Sequence, residues 1–211
     1  MAIVYPYAEL TPGKRELMGA WLPSRPWFDG AAGRKPTGSF RFDDPQGEVG
    51  MEGFLLGADG LSTLFVPLTY RGAELAGAEA HLVGTTEHSE LGTRWVYDGA
   101  ADPVFVQSLV AAVLTGASGV DHEYDIGNGP ESRPTNAQVR GSGTPGTDVP
   151  ALGPLNVRDD GPLTLVDAGA AQVVIARVVG TGVAADATLE VTWKGGEGVV
   201  IAGVRPAAQQ A

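Results

Sequence analysis

Two acidic residues, a histidine and two threonines lie close together in the segment GTTEHSELG, which begins at Gly84. Glu87 and His88 are residue types that act as general acid and base, and Thr85 or Thr86 could then serve as a nucleophile. Catalytic groups of this kind are usually brought together from distant segments, so adjacency along the chain carries little weight. We therefore interpret the segment as a polar connection between two strands, with catalysis as the alternative.

A second acidic group lies in the segment DHEYDIGNG. Asp121, Glu123 and Asp125 stand at alternate positions, as in the first half of a calcium-binding loop. Ile126 then occupies the position that needs glycine, and Ser132 the position that needs a bidentate glutamate. We therefore favour a solvated acidic loop without a metal, with an irregular calcium site as the alternative.

Trp27 lies in the segment SRPWFDG, after the first predicted helix, and Arg25 and Asp29 flank it. An indole ring beside charged hydrogen-bonding groups suits the recognition of a sugar, and an exposed tryptophan also suits an interface with a protein partner. We therefore predict a binding site at Trp27, Arg25 and Asp29. A loop aromatic is not expected in the core, so Trp27→Ala should harm function and leave the fold largely intact.

The composition of the 211-residue chain limits its partners. The formal net charge is −11 and the few lysines are widely separated, whereas nucleic acid and anionic membrane surfaces require clustered cations. There is no cysteine, which excludes disulfides, thiolate metal sites and a cysteine nucleophile. The N-terminal segment has no signal-peptide features, and no apolar run approaches the roughly 20 residues that span a bilayer. We expect a soluble, cytoplasmic protein.

Two helices and several strands must position these groups. Thr11 and Pro12 are typical of a helix start, and apolar residues at helical spacing follow them. Asp102 and Pro103 begin a second helix, which Gly116 ends. Between the helices, β-branched and aromatic residues alternate with turn residues, which predicts antiparallel strands in SFRFDD, GEVGMEGFLLGADG, LSTLFVPLTYRG, AHLVGTT and TRWVYDG.

The composition divides the chain into three parts. Residues 1–116 are predicted to form an α+β unit, an antiparallel sheet packed with two helices. Residues 117–154 are rich in Gly, Pro, Ser and Thr and indicate a mobile loop or linker. Residues 155–211 contain only predicted strands, and a tail of about 50 residues is marginal as an independent domain. We therefore expect this C-terminal all-β extension to pack on the first unit.

Four segments within residues 1–116 resemble, in the same order, the N-terminal cap domain of bacterial maltokinases. They are LMGAWLPSRPWF, VPLTYRG, LVGTTEH and WVYDGAADPVF. The resemblance is strongest to stand-alone cap-like proteins that lack the kinase, and it implies a curved antiparallel sheet with helices. Leu22, Pro23, Trp27 and Phe28 match the family pattern, but Pro26 replaces the usual arginine.

The resemblance implies a non-catalytic accessory protein, linked to maltose, trehalose or α-glucan metabolism through a protein partner such as a sugar kinase or glucan enzyme. The cap does not supply phosphotransfer residues in that family. The sequence likewise has no glycine-rich loop followed by Lys-Ser or Lys-Thr, so we expect neither an enzyme nor a cofactor. The alternative is a protein that binds a sugar on the concave face of the sheet, and an enzyme of unknown type is the third possibility.

Overall fold

The computed structural model describes residues 3–4, 8–125 and 130–207, with side chains over 8–122 and 132–207. The α-helices of this part are α1 (Lys14–Trp21) and α2 (Pro103–Thr115). The strands are β1 (Ile3–Val4), β2 (Leu10–Thr11), β3 (Lys35–Phe42), β4 (Gly50–Gly57), β5 (Leu64–Arg71), β6 (Leu82–His88), β7 (Gly92–Asp98), β8 (His122–Asp125), β9 (Pro130–Arg133), β10 (Ala137–Gly141), β11 (Asn156–Asp160), β12 (Leu163–Asp167), β13 (Ala171–Ala176), β14 (Ala187–Trp193) and β15 (Gly196–Pro206).

The first sheet has the strand order β2-β6-β7-β5-β4-β3, and every neighbouring pair is antiparallel. The five longer strands of this sheet follow the predicted segments, and β6 and β7 form the predicted pair around the turn at residues 89–91. The prediction of an α+β fold with an antiparallel sheet and two helices is therefore confirmed.

The C-terminal part forms a second antiparallel sheet with the order β10-β14-β15-β13-β12-β11. Among the described residues that follow α2, every element is a strand, which confirms the predicted all-β extension. A third, small sheet has the order β1-β8-β9, in which β1 and β8 are parallel.

The two faces of the first sheet belong to different hydrophobic clusters. Successive side chains of a strand point to opposite faces, and the neighbours Leu55 and Leu56 of β4 accordingly lie in separate clusters. The larger cluster contains Leu55 with side chains of α2 and of the second sheet, including Phe105 and Ile201. The smaller cluster contains Leu56 with the buried residues of α1. The second sheet therefore shares a core with α2 and one face of the first sheet.

The segment 117–154 differs from the predicted mobile linker, because it contains β8, β9 and β10. Strand β10 pairs with β14 over its full length. A Cβ atom at Gly141 would lie 1.9 Å from the carbonyl oxygen of Ala112, and one at Gly143 would lie 2.0 Å from that of Leu114. The glycines thus allow this segment to pass closely against the last turn of α2. Their sequence signature is that of a flexible loop, but here they serve packing.

Helix α2 has the predicted boundaries, and α1 does not. The Asp102 carboxylate accepts a hydrogen bond from the Val104 N–H at 2.9 Å, and Gly116 closes α2 in the left-handed conformation with φ of 71°. Helix α1 begins at Lys14, because Thr11 pairs with Glu87 as part of the first sheet. The predicted start at Thr11 and Pro12 is therefore wrong.

Candidate functional site

An open cleft of about 760 Å³ lies on the α1 face of the first sheet. The strand register defines its floor: Arg41 stands opposite Glu52, and Gly50 stands opposite Tyr70. Because facing residues of neighbouring strands share a face, these positions and Arg94 of β7 lie on one side of the sheet. The cleft is lined by Ala8, Leu10, Lys14, Arg41, Asp44, Gly47, Glu48, Val49, Gly50, Met51, Glu52, Tyr70, Arg71, Gly72, Ala73, Glu74, His88, Leu91 and Arg94.

Helix α1 explains why this part of the face is open. Its residues Leu17 and Met18 cover the apolar part of the same face, which includes Phe54 and Val96. The helix begins at Lys14, so no helix of the described residues covers the face beyond its first turn. The lining of the uncovered part combines apolar side chains with the charged residues Lys14, Arg41, Glu52 and Arg94.

Lys14 and Glu52 form an ion pair in the middle of the cleft. The Lys14 Nζ lies 2.5 Å from Glu52 Oε2, and the side chains are 36% and 8% exposed, respectively. The ammonium also lies 5.6 Å from the ring centroid of Phe54 and 5.3 Å from that of Tyr70. These distances allow cation–π attraction, so Lys14 is held at this position by a carboxylate and two rings.

Three side chains that line the cleft carry a buried polar atom without a hydrogen-bond partner in the described structure. These atoms are the Tyr70 hydroxyl and the Nε atoms of Arg41 and Arg94. Burial, with a smaller effect of Glu52 and against that of Arg41, raises the pKa of Tyr70 well above its ordinary value. The phenol is therefore neutral, and all three atoms are available as donors.

Two other charged residues of the lining already have partners. The Arg71 guanidinium donates two hydrogen bonds to the Asp102 carboxylate, both at 2.7 Å. The Asp44 carboxylate accepts hydrogen bonds from the backbone N–H groups of Gln46, Glu48 and Val49 at 2.9–3.0 Å. Both groups therefore shape the rim of the cleft.

Two histidines interact with the arginines that line the cleft, His88 with Arg94 and His122 with Arg41. Burial, followed by the charge of Arg94, lowers the pKa of His88. Burial, followed by the charge of Arg41, lowers the pKa of His122 at the start of β8. Both imidazoles are therefore neutral at pH 7.

The polar side chains of GTTEHSELG make hydrogen bonds within the strand pair and its turn. The Glu87 carboxylate accepts a hydrogen bond from the Thr93 hydroxyl at 2.7 Å, and the Thr86 hydroxyl donates to the Pro12 carbonyl at 2.8 Å. The His88 Nδ1 accepts hydrogen bonds from two backbone N–H groups of the β6–β7 turn, both at 3.2 Å. The segment is the end of β6 and a polar turn, from which His88 and Leu91 line the cleft.

The prediction that Trp27 is an exposed loop residue is wrong. Trp27 is only 5% exposed, and its ring contacts Trp21 edge to face at a centroid distance of 5.8 Å. The guanidinium of Arg177, from the second sheet, lies 5.0 Å from the Trp27 ring centroid. The loop turns inward because Trp27 completes the smaller core cluster.

Arg25 and Asp29, the other two residues of the predicted binding site, have partners close to Trp27 in the chain. The Arg25 guanidinium lies 4.9 Å from the Trp21 ring centroid. The Asp29 carboxylate accepts a hydrogen bond from Arg34 at 2.5 Å and one from the Ala31 N–H at 3.1 Å. These three residues brace the loop that follows α1, and the structure brings together a different set of side chains in the cleft.

The candidate calcium loop at Asp121, Glu123 and Asp125 coincides with a strand. Residues 122–125 form β8, which pairs with β1 and β9. The side chains of Glu123 and Asp125, and the whole of Ile126, lie outside the described residues. Over the part of the chain that is described, no group of three or more His, Asp or Glu side chains is placed to hold a metal ion.

The cleft residues Lys14, Arg41, Glu52, Tyr70 and Arg94 were missed by sequence reasoning. The available signal was a charged residue within an otherwise apolar strand, as at Glu52 in GMEGFLLG. A charge at such a position requires a partner or a ligand. The strand register places Arg41, Glu52, Tyr70 and Arg94 on one face, and the packing of α1 brings Lys14 to it.

The fold and the cleft define an α+β protein with an open polar face on an antiparallel sheet. Residues 21–102 match the family model of the maltokinase N-terminal cap domain, which confirms the resemblance over this segment. The matched segment runs from the end of α1 to the residue that caps α2 and so includes β3 to β7. No curated protein matches the chain. Neither described helix is long and apolar enough to cross a membrane.

Proposed function

We propose that the protein is a non-catalytic binding protein related to the maltokinase cap, and that a small polar ligand such as a sugar occupies the cleft. One observation carries this proposal: three different strands place beside one cavity polar atoms that have no hydrogen-bond partner among the described residues. An unpaired buried donor costs about 1–3 kcal/mol. A ligand that enters the cleft supplies the missing acceptors after a small rotation of these side chains.

The size and chemistry of the cleft support a sugar-sized ligand. Its volume of about 760 Å³ falls within the range of roughly 300–1,000 Å³ that is typical of small-molecule sites. Tyr70 provides an aromatic side chain, and the Lys14–Glu52 pair provides a donor and an acceptor side by side. Hydroxyl groups both donate and accept hydrogen bonds, so a polyhydroxylated molecule matches this mixed lining.

A substitution that fills the cleft tests this proposal. A Cβ atom at Gly50 would lie 3.5 Å from the Tyr70 Cβ, which is an ordinary contact, so a larger residue fits the backbone there. Gly50→Phe should keep the melting temperature within a few degrees of the wild-type value and abolish binding of maltose, trehalose and glucose in calorimetry. Gly182→Phe is the matched control, because a Cβ atom at Gly182 meets nothing within 4 Å. Binding that survives Gly50→Phe would place the site elsewhere.

The match to the maltokinase cap favours a second candidate function. In this proposal the protein acts as an accessory module of maltose, trehalose or α-glucan metabolism, through contact with a kinase or glucan enzyme. The support is that residues 21–102 match a domain named for its position at the N-terminus of a maltokinase. Size-exclusion chromatography of the protein mixed with a purified maltokinase tests it, and Gly50→Phe separates the two candidates. Loss of sugar binding with retention of the complex would assign the two functions to different surfaces.

We also propose that the protein does not transfer phosphate. The support is the sequence, which has no glycine-rich loop followed by Lys-Ser or Lys-Thr. Calorimetry with Mg-ATP, followed by a maltose phosphorylation assay, tests this. Micromolar affinity for ATP, or a phosphorylated sugar product that depends on the protein, would contradict it.

A further inference from the structure

We propose that the ligand of the cleft carries an anionic group, a carboxylate or a phosphate, and that Arg41 binds it. This inference rests on the proposed ligand-binding function and narrows the class of ligand. It follows from the way in which the charges on the floor of the cleft are paired.

Arg41 lacks the counter-ion that the strand register offers it. Arg41 and Glu52 face each other on β3 and β4, where opposite charges usually pair. The Glu52 carboxylate instead binds Lys14 at 2.5 Å. Among the described residues, no carboxylate lies within 4 Å of the Arg41 guanidinium, and its Nε has no hydrogen-bond partner.

The position of Arg41 makes this lack of a partner costly. The side chain is half-buried, and a partly buried charge without a counter-ion is unfavourable. The protein as a whole carries a formal charge of −11, so acidic residues are abundant. Arg41 nevertheless has no carboxylate partner among the described residues. An anion from solution supplies the missing charge, and the planar guanidinium suits carboxylate and phosphate oxygens equally.

The remaining charges of the cleft agree with this assignment. Arg94 adds a second cation without a carboxylate partner among the described residues, and its guanidinium donates a hydrogen bond to the Leu91 carbonyl. The described lining holds the cations Lys14, Arg41, Arg71 and Arg94 and the acids Asp44, Glu48, Glu52 and Glu74, and of these acids only Glu52 lies on a strand of the sheet, beside Arg41. The exposed acids Glu48 and Glu74 lie on the loops of the rim.

The distance across the sheet limits the shape of the ligand. Strands β3 and β7 are separated by β4 and β5, and the residue of β7 in line with Arg41 is Asp98, four residues from Arg94. Arg41 and Arg94 therefore start from backbones about 20 Å apart at the usual strand spacing and rise per residue. A single small anion does not bridge this span. An elongated molecule with an anionic group at Arg41 and polar oxygens toward Lys14 and Arg94 fits it.

Calorimetry with three probes of matched size tests the inference: glucose, gluconate and glucose 6-phosphate. One or both of the anionic probes should bind at least about tenfold more tightly than glucose at low salt, which corresponds to about 1.4 kcal/mol. Their advantage should shrink at high salt. Gluconate and glucose 6-phosphate separate a carboxylate from a phosphate as the preferred group.

Substitution of the arginine completes the test. Arg41→Gln should remove the advantage of the anionic probes, so that gluconate and glucose 6-phosphate bind the variant no more tightly than glucose does. Arg158→Gln, an equal change of charge at an exposed site on β11, should have no effect. Equal affinity for glucose and both anions would overturn this inference and leave the proposed function intact. Absence of binding by all three probes and by maltose would overturn both, and an anion advantage that survives Arg41→Gln would remove Arg41 from the site.

Discussion

The Arg177 guanidinium donates a hydrogen bond to the Asp98 carboxylate over 2.5 Å, and both side chains are buried. Asp98 is the last residue of β7 in the first sheet, and Arg177 follows β13 of the second sheet. Arg177 also donates to the Thr164 hydroxyl at 2.7 Å and lies over the ring of Trp27. This pair therefore ties the segment that matches the cap domain to the C-terminal sheet.

Loss of Arg177 should destabilise the whole chain. Arg177→Met leaves the Asp98 carboxylate buried without its cation, and removing one partner of a buried ion pair costs about 3–5 kcal/mol. Urea denaturation followed by circular dichroism measures this loss. Arg158→Met is the control, because the Arg158–Asp160 pair is exposed and its atoms are 3.9 Å apart, so its loss should cost less than about 1 kcal/mol. Equal stability of the two variants would show that the pair does not join the sheets.

Trp27→Ala should destabilise the fold, contrary to what the sequence predicted for a loop aromatic. Removing a buried tryptophan costs about 3–5 kcal/mol, and here it also removes the contacts with Trp21 and Arg177. Thermal denaturation measures the effect. Leu61→Ala is the comparison, since Leu61 is 46% exposed and its loss should change the melting temperature little. A Trp27 variant as stable as the Leu61 variant would contradict the burial of the ring.

These examples show which features were predictable from sequence. The boundaries of α2 were correct because Asp102 and Gly116 act on the helix ends beside them. The environment of Trp27 was not predictable, because Arg25 and Asp29 nearby in the sequence suggested an exposed loop, while the group that covers the ring, Arg177, is 150 positions away. The cleft was missed for a similar reason. Glu52 stands out within its strand, but its pairing with Lys14, and hence the isolation of Arg41, depends on tertiary packing.

The glycines near the end of α2 should not tolerate alanine. In Gly143→Ala the new Cβ would lie 2.0 Å from the Leu114 carbonyl oxygen, which belongs to backbone and cannot move aside cheaply. Overpacking of this kind costs about 1–3 kcal/mol or more, so the melting temperature should fall by several degrees. Gly182→Ala is the matched control, because a Cβ atom there meets nothing within 4 Å. If Gly143→Ala and Gly182→Ala have the same melting temperature, the close approach of this segment to α2 is incorrect.

The order of the segment 134–154 should also appear in limited proteolysis. Arg140 lies within β10, where it pairs with Glu190 of β14, and a protease must unfold the strand to cleave it. Trypsin should therefore leave the bond after Arg140 intact under native conditions. Mass spectrometry of the fragments checks this. In Arg177→Met trypsin should cleave the same bond sooner, because the global stability of this variant is lower. Early cleavage after Arg140 in the wild-type protein would support the prediction of a mobile linker instead.

Asp44 should make the rim of the cleft sensitive to acid. Burial alone raises the pKa of Asp44, but the hydrogen bonds from the Gln46, Val49 and Glu48 N–H groups, together with Arg71, hold it below its ordinary value. A carboxyl whose pKa is lower in the folded than in the unfolded state adds stability above the unfolded pKa of about 3.9. That stability is lost as the pH falls through the folded pKa. The free energy of unfolding should therefore decline below about pH 4.

Asp44→Asn separates this contribution from the other acids of the chain. The amide keeps one acceptor oxygen but has no proton to gain over this range, so the variant should be less stable than wild type at pH 7 and should lose less stability between about pH 5 and pH 2. Asp148→Asn makes the same change of net charge at an exposed loop position and should leave the pH dependence unchanged. Denaturant titrations at a series of pH values measure all three proteins. Parallel curves for wild type and Asp44→Asn would mean that the three backbone hydrogen bonds do not hold the carboxylate ionised, and the β3–β4 loop would then owe its shape to packing alone.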